Sequence, residues 1–434
     1  MMKRRRVLIS SHEFSPERGS ECSEGWNICT RMASIHDVTV LCASGPPFAP
    51  TAYKDALARY YRDSPQIPGL TVEFVDQPPD AMRYARINRR FYNTADGVGS
   101  RTLFFKGLDA WHRAAYQTAL RLGASNFDVV HQLTPISFRR PGYLWRLGLP
   151  FFWGPIGGMY KVPWAFARWG GFRTWLFEAF RAADIDWHLH LSPAFRAAAR
   201  RAAVVWTITD DERRQIERVA GPKSVPMIDT AAQGRGIPRT YSGDRPLKLC
   251  WSGRPAVIKA LPLLLRAMAQ LEQPPSVTVD VLGGGGSETA RWQALARELR
   301  LENISWHGRL PYHAALEKMN EADVFVHTSF REAASNVVPE ALGSGLPVIC
   351  HDVCGMAIAV DASCGIKVPF ISPARSIEGF RAALERLLAN PGLVRELSIG
   401  ALKRAAHLSW DAKVAEMAET YERHLAESFP HESR

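Results

Sequence analysis

The chain has 434 residues, 46% of them apolar and 22% charged, and a net charge of +11 at pH 7. This length exceeds one ordinary hydrophobic core and predicts two domains of roughly 200 residues each, in a protein of soluble, globular composition. No stretch approaches the roughly 18 to 20 apolar residues of a membrane span, and seven cysteines without a C-x-x-C pair read as reduced thiols of a cytoplasmic protein. The excess charge is uneven: residues 1–245 hold 34 Lys/Arg against 22 Asp/Glu, and residues 246–434 hold 20 against 21. A basic first half points to an anionic partner: nucleic acid, a membrane surface or an anionic substrate.

In chain order, MMKRRRVLIS opens like an export signal, but its apolar run is only Val7 to Ile9, so it reads as a first strand. The loop that follows carries Gly19 and Ser20 ahead of a helix through Trp26, Ile28 and Met32, and a second strand spans Val38 to Leu41. Strand, glycine-bearing loop, helix, strand is the unit of doubly wound α/β domains. The loop is neither G-x-G-x-x-G nor a P-loop, so an ordinary turn explains it equally well. A strand at Leu70 to Val75 and a helix at Leu108 to Leu122 follow, then the strand Phe127 to Val130, which ends at His131. A histidine at the carboxyl end of a parallel strand sits where open sheets bind ligands; elsewhere it is more often a satisfied structural residue. Phe151 to Trp153 form the next strand, running into Gly154, Gly157 and Gly158.

Residues 159–203 are both basic and aromatic, with Trp164, Arg168, Trp169, Phe172, Arg173 and Trp175 among them. They suit an interfacial element on anionic lipid, or the packed core of a helical subdomain. No nucleic-acid motif accompanies the charge. Val204 to Ile208 form a strand, Asp210, Asp211 and Glu212 read as the solvated first turn of a helix rather than a metal site, and residues 232–246 read as a linker.

The alternation restarts at Leu247. The loop SGRPAVIKA supplies Arg254 and Lys259, a fork and a point charge suited to a diphosphate, before a leucine-rich helix over 261–271. Val277 to Val281 lead into four glycines from Gly283, and Ile304 to Gly308 and Tyr312 to Met319 supply the next strand and helix. The densest stretch is 323–355. A strand through Val324 to Val326 leads to a loop with Glu332, then to a helix capped by Ser335 or Asn336 and carrying Glu340, then to a strand from Leu346. Free helix N–H groups attract phosphate and carboxylates accept from paired hydroxyls, so a ligand with both a diphosphate and a sugar is the expectation. Cys350 and Cys354 lack nearby His or Cys partners and are not read as a metal site. Trp410 to Leu425 form an amphipathic helix with Val414, Met417, Tyr421 and Leu425 on one side.

Taken together, Gly253, Arg254 and Lys259, the glutamates Glu332 and Glu340 eight apart, and Ala341, Gly345, Pro347, Val348 and Gly355 resemble the pattern of the retaining, nucleotide-sugar-dependent glycosyltransferases of family 4. The resemblance is strong from residue 252 to 365 and weaker before. It departs at Ala260, where the family usually has glycine, and at Ala333 to Asn336. It implies a GT-B fold: two Rossmann-like, doubly wound parallel-sheet domains facing each other across a cleft. The first, 1–240, would bind the acceptor, with helix 410–434 packing back on it, and the second, 246–409, would bind the donor.

By the same resemblance, Arg254 and Lys259 would neutralise the donor diphosphate, with Gly253 beside them. Asn336, Val337 and Val338 would offer it backbone N–H groups. Glu340 would accept from the ribose and Glu332 from the transferred sugar, Gly19 and Ser20 would close over the phosphates, and His131 would lie near the transferring sugar. No metal and no cofactor beyond the nucleotide-diphosphate sugar is implied. The partners implied are that sugar, a saccharide or lipid-linked acceptor, an anionic membrane surface through 159–203, and no nucleic acid, in a cytoplasmic or inner-face peripheral protein of polysaccharide or cell-envelope synthesis. The rival readings are a non-catalytic, membrane-associated partner subunit of the same fold and a sugar-nucleotide epimerase.

Overall fold

The computed structural model describes residues 3–91, 99–232, 234, 236–273 and 276–428. Among these, thirteen strands build two sheets whose neighbouring strands all run parallel. The first contains β1 (Arg6–Ser11), β2 (Asp37–Ala43), β3 (Leu70–Val75), β4 (Val129–Thr134), β5 (Phe151–Ile156), β6 (Ala202–Thr207) and β7 (Ser224–Pro226), in the order β3-β2-β1-β4-β5-β6-β7. The second contains β8 (Leu247–Ser252), β9 (Val277–Leu282), β10 (Ile304–Gly308), β11 (Val324–His327), β12 (Val348–His351) and β13 (Gly365–Val368), in the order β10-β9-β8-β11-β12-β13. The central strands carry buried apolar runs such as Val7–Ile9, Phe151–Trp153 and Val324–Val326, as parallel strands covered on both faces require. Leu8, Val130, Trp153 and Val205 belong to one core, and Leu249, Val279, Val326 and Ile349 to the other.

The chain folds into two compact units, and they do not follow the boundary expected near residue 240. One comprises Met1–Met159, Ile185–Asp229 and Trp410–Arg434; the other comprises Tyr160–Asp184 and Thr230–Ser409. Tyr160–Asp184 goes with the second unit because Val162 and Phe166 are buried in its core, where Phe166 stacks on Phe370 at 4.0 Å. In the first unit, the helix Trp410–Ser428 buries Val414, Met417, Tyr421 and Leu425. There Arg5 grips both carboxylate oxygens of Glu422 at 2.8 Å.

One of the three acids expected in a solvated first turn is not solvated. Asp210 and Asp211 pair with Arg213 and Arg214, but Glu212 is buried and accepts from the Met159 N–H at 2.9 Å. Burial pushes its carboxyl up to about 7. All seven cysteines are buried free thiols, Cys350 and Cys354 included. Among the described residues no three His, Cys, Asp or Glu side chains are grouped to hold a metal, and no helix is long and apolar enough to cross a membrane.

Candidate functional site

In the second unit the strand order reverses between β8 and β11, and at such a switch point the loops leaving the two strands diverge to leave room for a ligand. These are the loops that carry Arg254, Lys259 and Glu332. They are laced together before any ligand arrives. Trp251 Nε1 donates to Thr328 Oγ1 at 2.9 Å, that hydroxyl donates to the Lys259 carbonyl at 2.6 Å, and the Phe330 N–H donates to the Ile258 carbonyl at 3.0 Å. The fastening brings together side chains 73 positions apart: Lys259 Nζ donates to Glu332 Oε1. Ser329 Oγ donates to the same oxygen at 3.0 Å, and His327 Nε2 lies 3.8 Å from it. Burial and the Lys259 charge hold His327 neutral, its pKa far below the ordinary imidazole value.

Backbone geometry sets how the lysine is offered. A short turn, Val257–Lys259, ends at Ala260, which has φ 49° and ψ 35°, a left-handed conformation that glycine adopts without strain. Gly253 lies where an added Cβ would stand 3.0 Å from the Trp251 ring and 3.4 Å from Lys259 Cδ. Arg254 is exposed at the lip of the same loop. Behind Glu332, the Gly355 N–H donates to the Ala333 carbonyl at 2.8 Å, and a Cβ on Gly355 would meet Ala334 at 2.6 Å. The two chain segments can approach this closely only with glycine there.

The helix after this loop is short, Val337–Gly343. Asn336 stands at its N-cap position, yet it has helical angles, φ −53° and ψ −37°, and its side chain caps nothing. The expected capping bond is therefore absent, because a cap needs an extended residue whose oxygen can reach back. Of the three amides expected to face phosphate, that of Val338 is already bound to the Ser335 carbonyl at 3.1 Å. Asn336 and Val337 remain as candidates. Glu340, half-buried, accepts from Tyr312 Oη at 3.2 Å. Burial raises its carboxyl to about 7, and the tyrosine bond only partly offsets this.

In the first unit the expected residues separate. Gly19 and Ser20 lie exposed ahead of the helix Glu21–Ile35, where Ser20 has φ 58° and ψ −141° and Gly19 has open space around it. His131 is not at a strand end. β4 runs on to Thr134, and the imidazole is fully buried inside it. Its Nε2 lies 2.6 Å from the Gly154 carbonyl and its Nδ1 lies 2.6 Å from Tyr421 Oη. A carbonyl only accepts, so Nε2 carries the proton and Nδ1 accepts from the tyrosine. Burial lowers the ring to about 4, and no nitrogen is left for a substrate. The imidazole is thus held within the sheet rather than offered at a strand end.

Sequence reasoning missed His327, Thr328, Ser329 and Tyr312. The first three were detectable as polar residues ending an apolar strand. Tyr312, 28 residues before Glu340, left no local signal.

Comparison with known proteins agrees with the second unit's geometry. Residues 246–390 match the family described as Glycosyl transferases group 1. D-inositol 3-phosphate glycosyltransferases from Streptomyces bingchenggensis and Thermomonospora curvata are 33% and 34% identical over 203 and 204 residues. Each match covers 44% of this chain and 44% and 45% of the relative, so the chain spans less than half the length of these relatives. Among solved structures, sucrose-phosphate synthase from Thermosynechococcus elongatus superposes with a TM-score of 0.63 at 17% identity, over 98% of this chain and 100% of that one. Anabaena HepE, solved with UDP and glucose, gives 0.58 at 14% over 96% and 100%. By these matches residues 246–390 are similar to the glycosyl transferases group 1 family, and the two parallel-sheet units have the GT-B fold.

Proposed function

We propose that the protein is a retaining, metal-independent glycosyltransferase of family 4. In this reading it moves a sugar from a nucleoside diphosphate to a hydroxyl of a saccharide or lipid-linked acceptor, in polysaccharide or cell-envelope synthesis at the cytoplasmic face of a membrane. The observation that carries the reading is the Lys259–Glu332 pair, fixed at the β8/β11 switch point with Arg254 at its lip and Glu340 eight residues on. Solved relatives of the fold include one holding UDP-glucose.

The arrangement suits bond cleavage in which charge develops on the leaving diphosphate. Arg254 and Lys259 are cations positioned before the reaction, so they stabilise that charge without reorganising. The Asn336 and Val337 amides add neutral donors. Glu332 accepts from hydroxyls of the transferred sugar and Glu340 from the ribose, and a diol bound this way must donate to an ionised carboxylate. No side chain is assigned as a covalent nucleophile, and retention follows from attack on the face from which the diphosphate departs.

The test is calorimetric titration with UDP-, GDP- and ADP-sugars in chelator, beside Lys259→Ala and Glu340→Ala. Binding of one sugar nucleotide, lost in both variants, is the expected result; NMR of the product's anomeric configuration then tests retention. Absence of binding by all three sugars overturns the reading in favour of a non-catalytic partner of the same fold.

A further inference from the structure

The basic aromatic stretch does not resolve into one of its two sequence readings, because it has two faces that behave differently. Between residue 160 and the end of the helix Phe172–Leu191 the chain has four Lys/Arg and three carboxylates, the half-buried Asp184 and Asp186 and the fully buried Glu178. Glu178 points inward. It is 2% exposed, accepts from Arg181 Nε at 2.7 Å, and pairs also with Arg331, the neighbour of Glu332. The Arg331 guanidinium lies 5.0 Å from the centre of the Phe177 ring. On the preceding helix, Trp164–Trp169, Phe166 is fully buried between Phe330 and Phe370. The inner face is thus packed and bolted to the loop that carries Glu332.

The outer face has no such cover. Phe172, Leu176 and Phe180 recur every four residues along the helix Phe172–Leu191, so at about 100° per residue they fall within an arc of about 80°. Phe172 is 73% exposed and Phe180 69%. Trp164, half exposed, joins them through Trp175, whose ring lies 5.8 Å from Phe172 and 6.4 Å from Trp164. The exposed charges beside this patch are Arg168 and Arg173, and neither makes an ion pair among the described residues.

We propose that this outer face docks on an anionic lipid bilayer, Trp164, Phe172 and Phe180 entering the headgroup boundary while Arg168 and Arg173 meet lipid phosphates. The inference rests on the reading of the protein as a transferase with a lipid-linked acceptor, and it names the surface that brings the protein to it. Charge decides between occupants. A second copy of the chain would set Arg168 and Arg173 against the same two arginines, with only the half-buried Asp184 and Asp186 of this helix as carboxylates, whereas an anionic surface complements both exposed cations and takes up the rings. Because the same helix holds Arg331 through Glu178, the docked face and the Glu332 loop form one packed body.

The experiment is sedimentation of the full chain with phosphatidylcholine vesicles, with and without phosphatidylglycerol. It uses the wild type, a Phe172→Ser/Phe180→Ser double variant and an Arg168→Glu/Arg173→Glu double variant, all four sites being exposed. Expected are binding only with phosphatidylglycerol, weakening in high salt, and a loss of about ten-fold or more in each double variant. No binding by the wild type, or equal binding by the variants, overturns the proposal. So does a concentration-dependent dimer, seen by light scattering, that Phe172→Ser/Phe180→Ser abolishes. Sugar-nucleotide titration of the same samples separates the two readings: donor binding without vesicle binding sinks only the docking face, and vesicle binding without donor binding sinks only the transferase.

Discussion

Each sheet carries a histidine on a buried strand beside its switch point, and the two have opposite surroundings. His131 in β4 is closed by its own unit, with Tyr421 on one nitrogen and the Gly154 carbonyl on the other. His327 in β11 has no hydrogen-bond partner on Nε2, and it stands 3.8 Å from the carboxylate that Lys259 and Ser329 already hold. Both rings are neutral through burial. The difference teaches that position in a strand does not make a site. What makes one is a set of polar groups gathered from several loops and left able to exchange partners with a ligand.

The largest effect expected from breaking this contrast is at Lys259. Lys259→Ala removes a positioned cation and leaves Glu332 with Ser329 but no counter-charge, so donor affinity should fall by roughly a hundred-fold, or about 3 kcal/mol, in calorimetry. If affinity is unchanged, the β8/β11 loops are not the donor site. Next is His131→Ala. It empties a buried position and orphans the Tyr421 hydroxyl, so urea unfolding should show a loss of about 3 kcal/mol while donor affinity stays at the wild-type value. Lost donor binding in a folded His131→Ala protein would restore the histidine to a site role.

A third effect sharpens the assignment of Glu340. Its carboxyl titrates near 7 in the folded protein against an ordinary 4.5, so the folded state holds the extra proton between those values. Stability from this group is therefore present below about 4.5 and is lost as pH rises through 7. In the proposed role the ionised Glu340 accepts from a ribose, so donor affinity should move the other way. It should fall below pH 7 by up to about ten-fold per unit, and Glu340→Gln should be weaker but flat over that range. The smallest effect is at Ala260, whose left-handed backbone glycine would relieve: Ala260→Gly should add up to about 1 kcal/mol and raise Tm by a few degrees, read by calorimetric melting.

Much of the loop that carries Glu332 was legible in the chain because its signals are local. An apolar run, a loop and a helix can be read over 323–345 without knowing the rest, and the spacings of Arg254 to Lys259 and of Glu332 to Glu340 each lie within one loop and the turn or helix that follows it. The readings that failed depended on what packs from elsewhere. His131 is closed by a tyrosine 290 residues away and Glu212 is buried by the Met159 turn, whereas the Val338 amide is consumed locally, by the Ser335 carbonyl.

The sequence by itself determined the two α/β alternations and the positions of the central strands, because buried parallel strands must be apolar and their loops must carry the turn residues. Only the tertiary structure decided which strands stand beside each other. That order brings Lys259 to Glu332, gives Tyr160–Asp184 to the second unit through Phe166, and turns Glu178 inward while Phe172 and Phe180 are left outside. Contacts between distant segments depend on sheet order and on which face of a helix finds a core, and neither quantity is written in any local stretch of the chain.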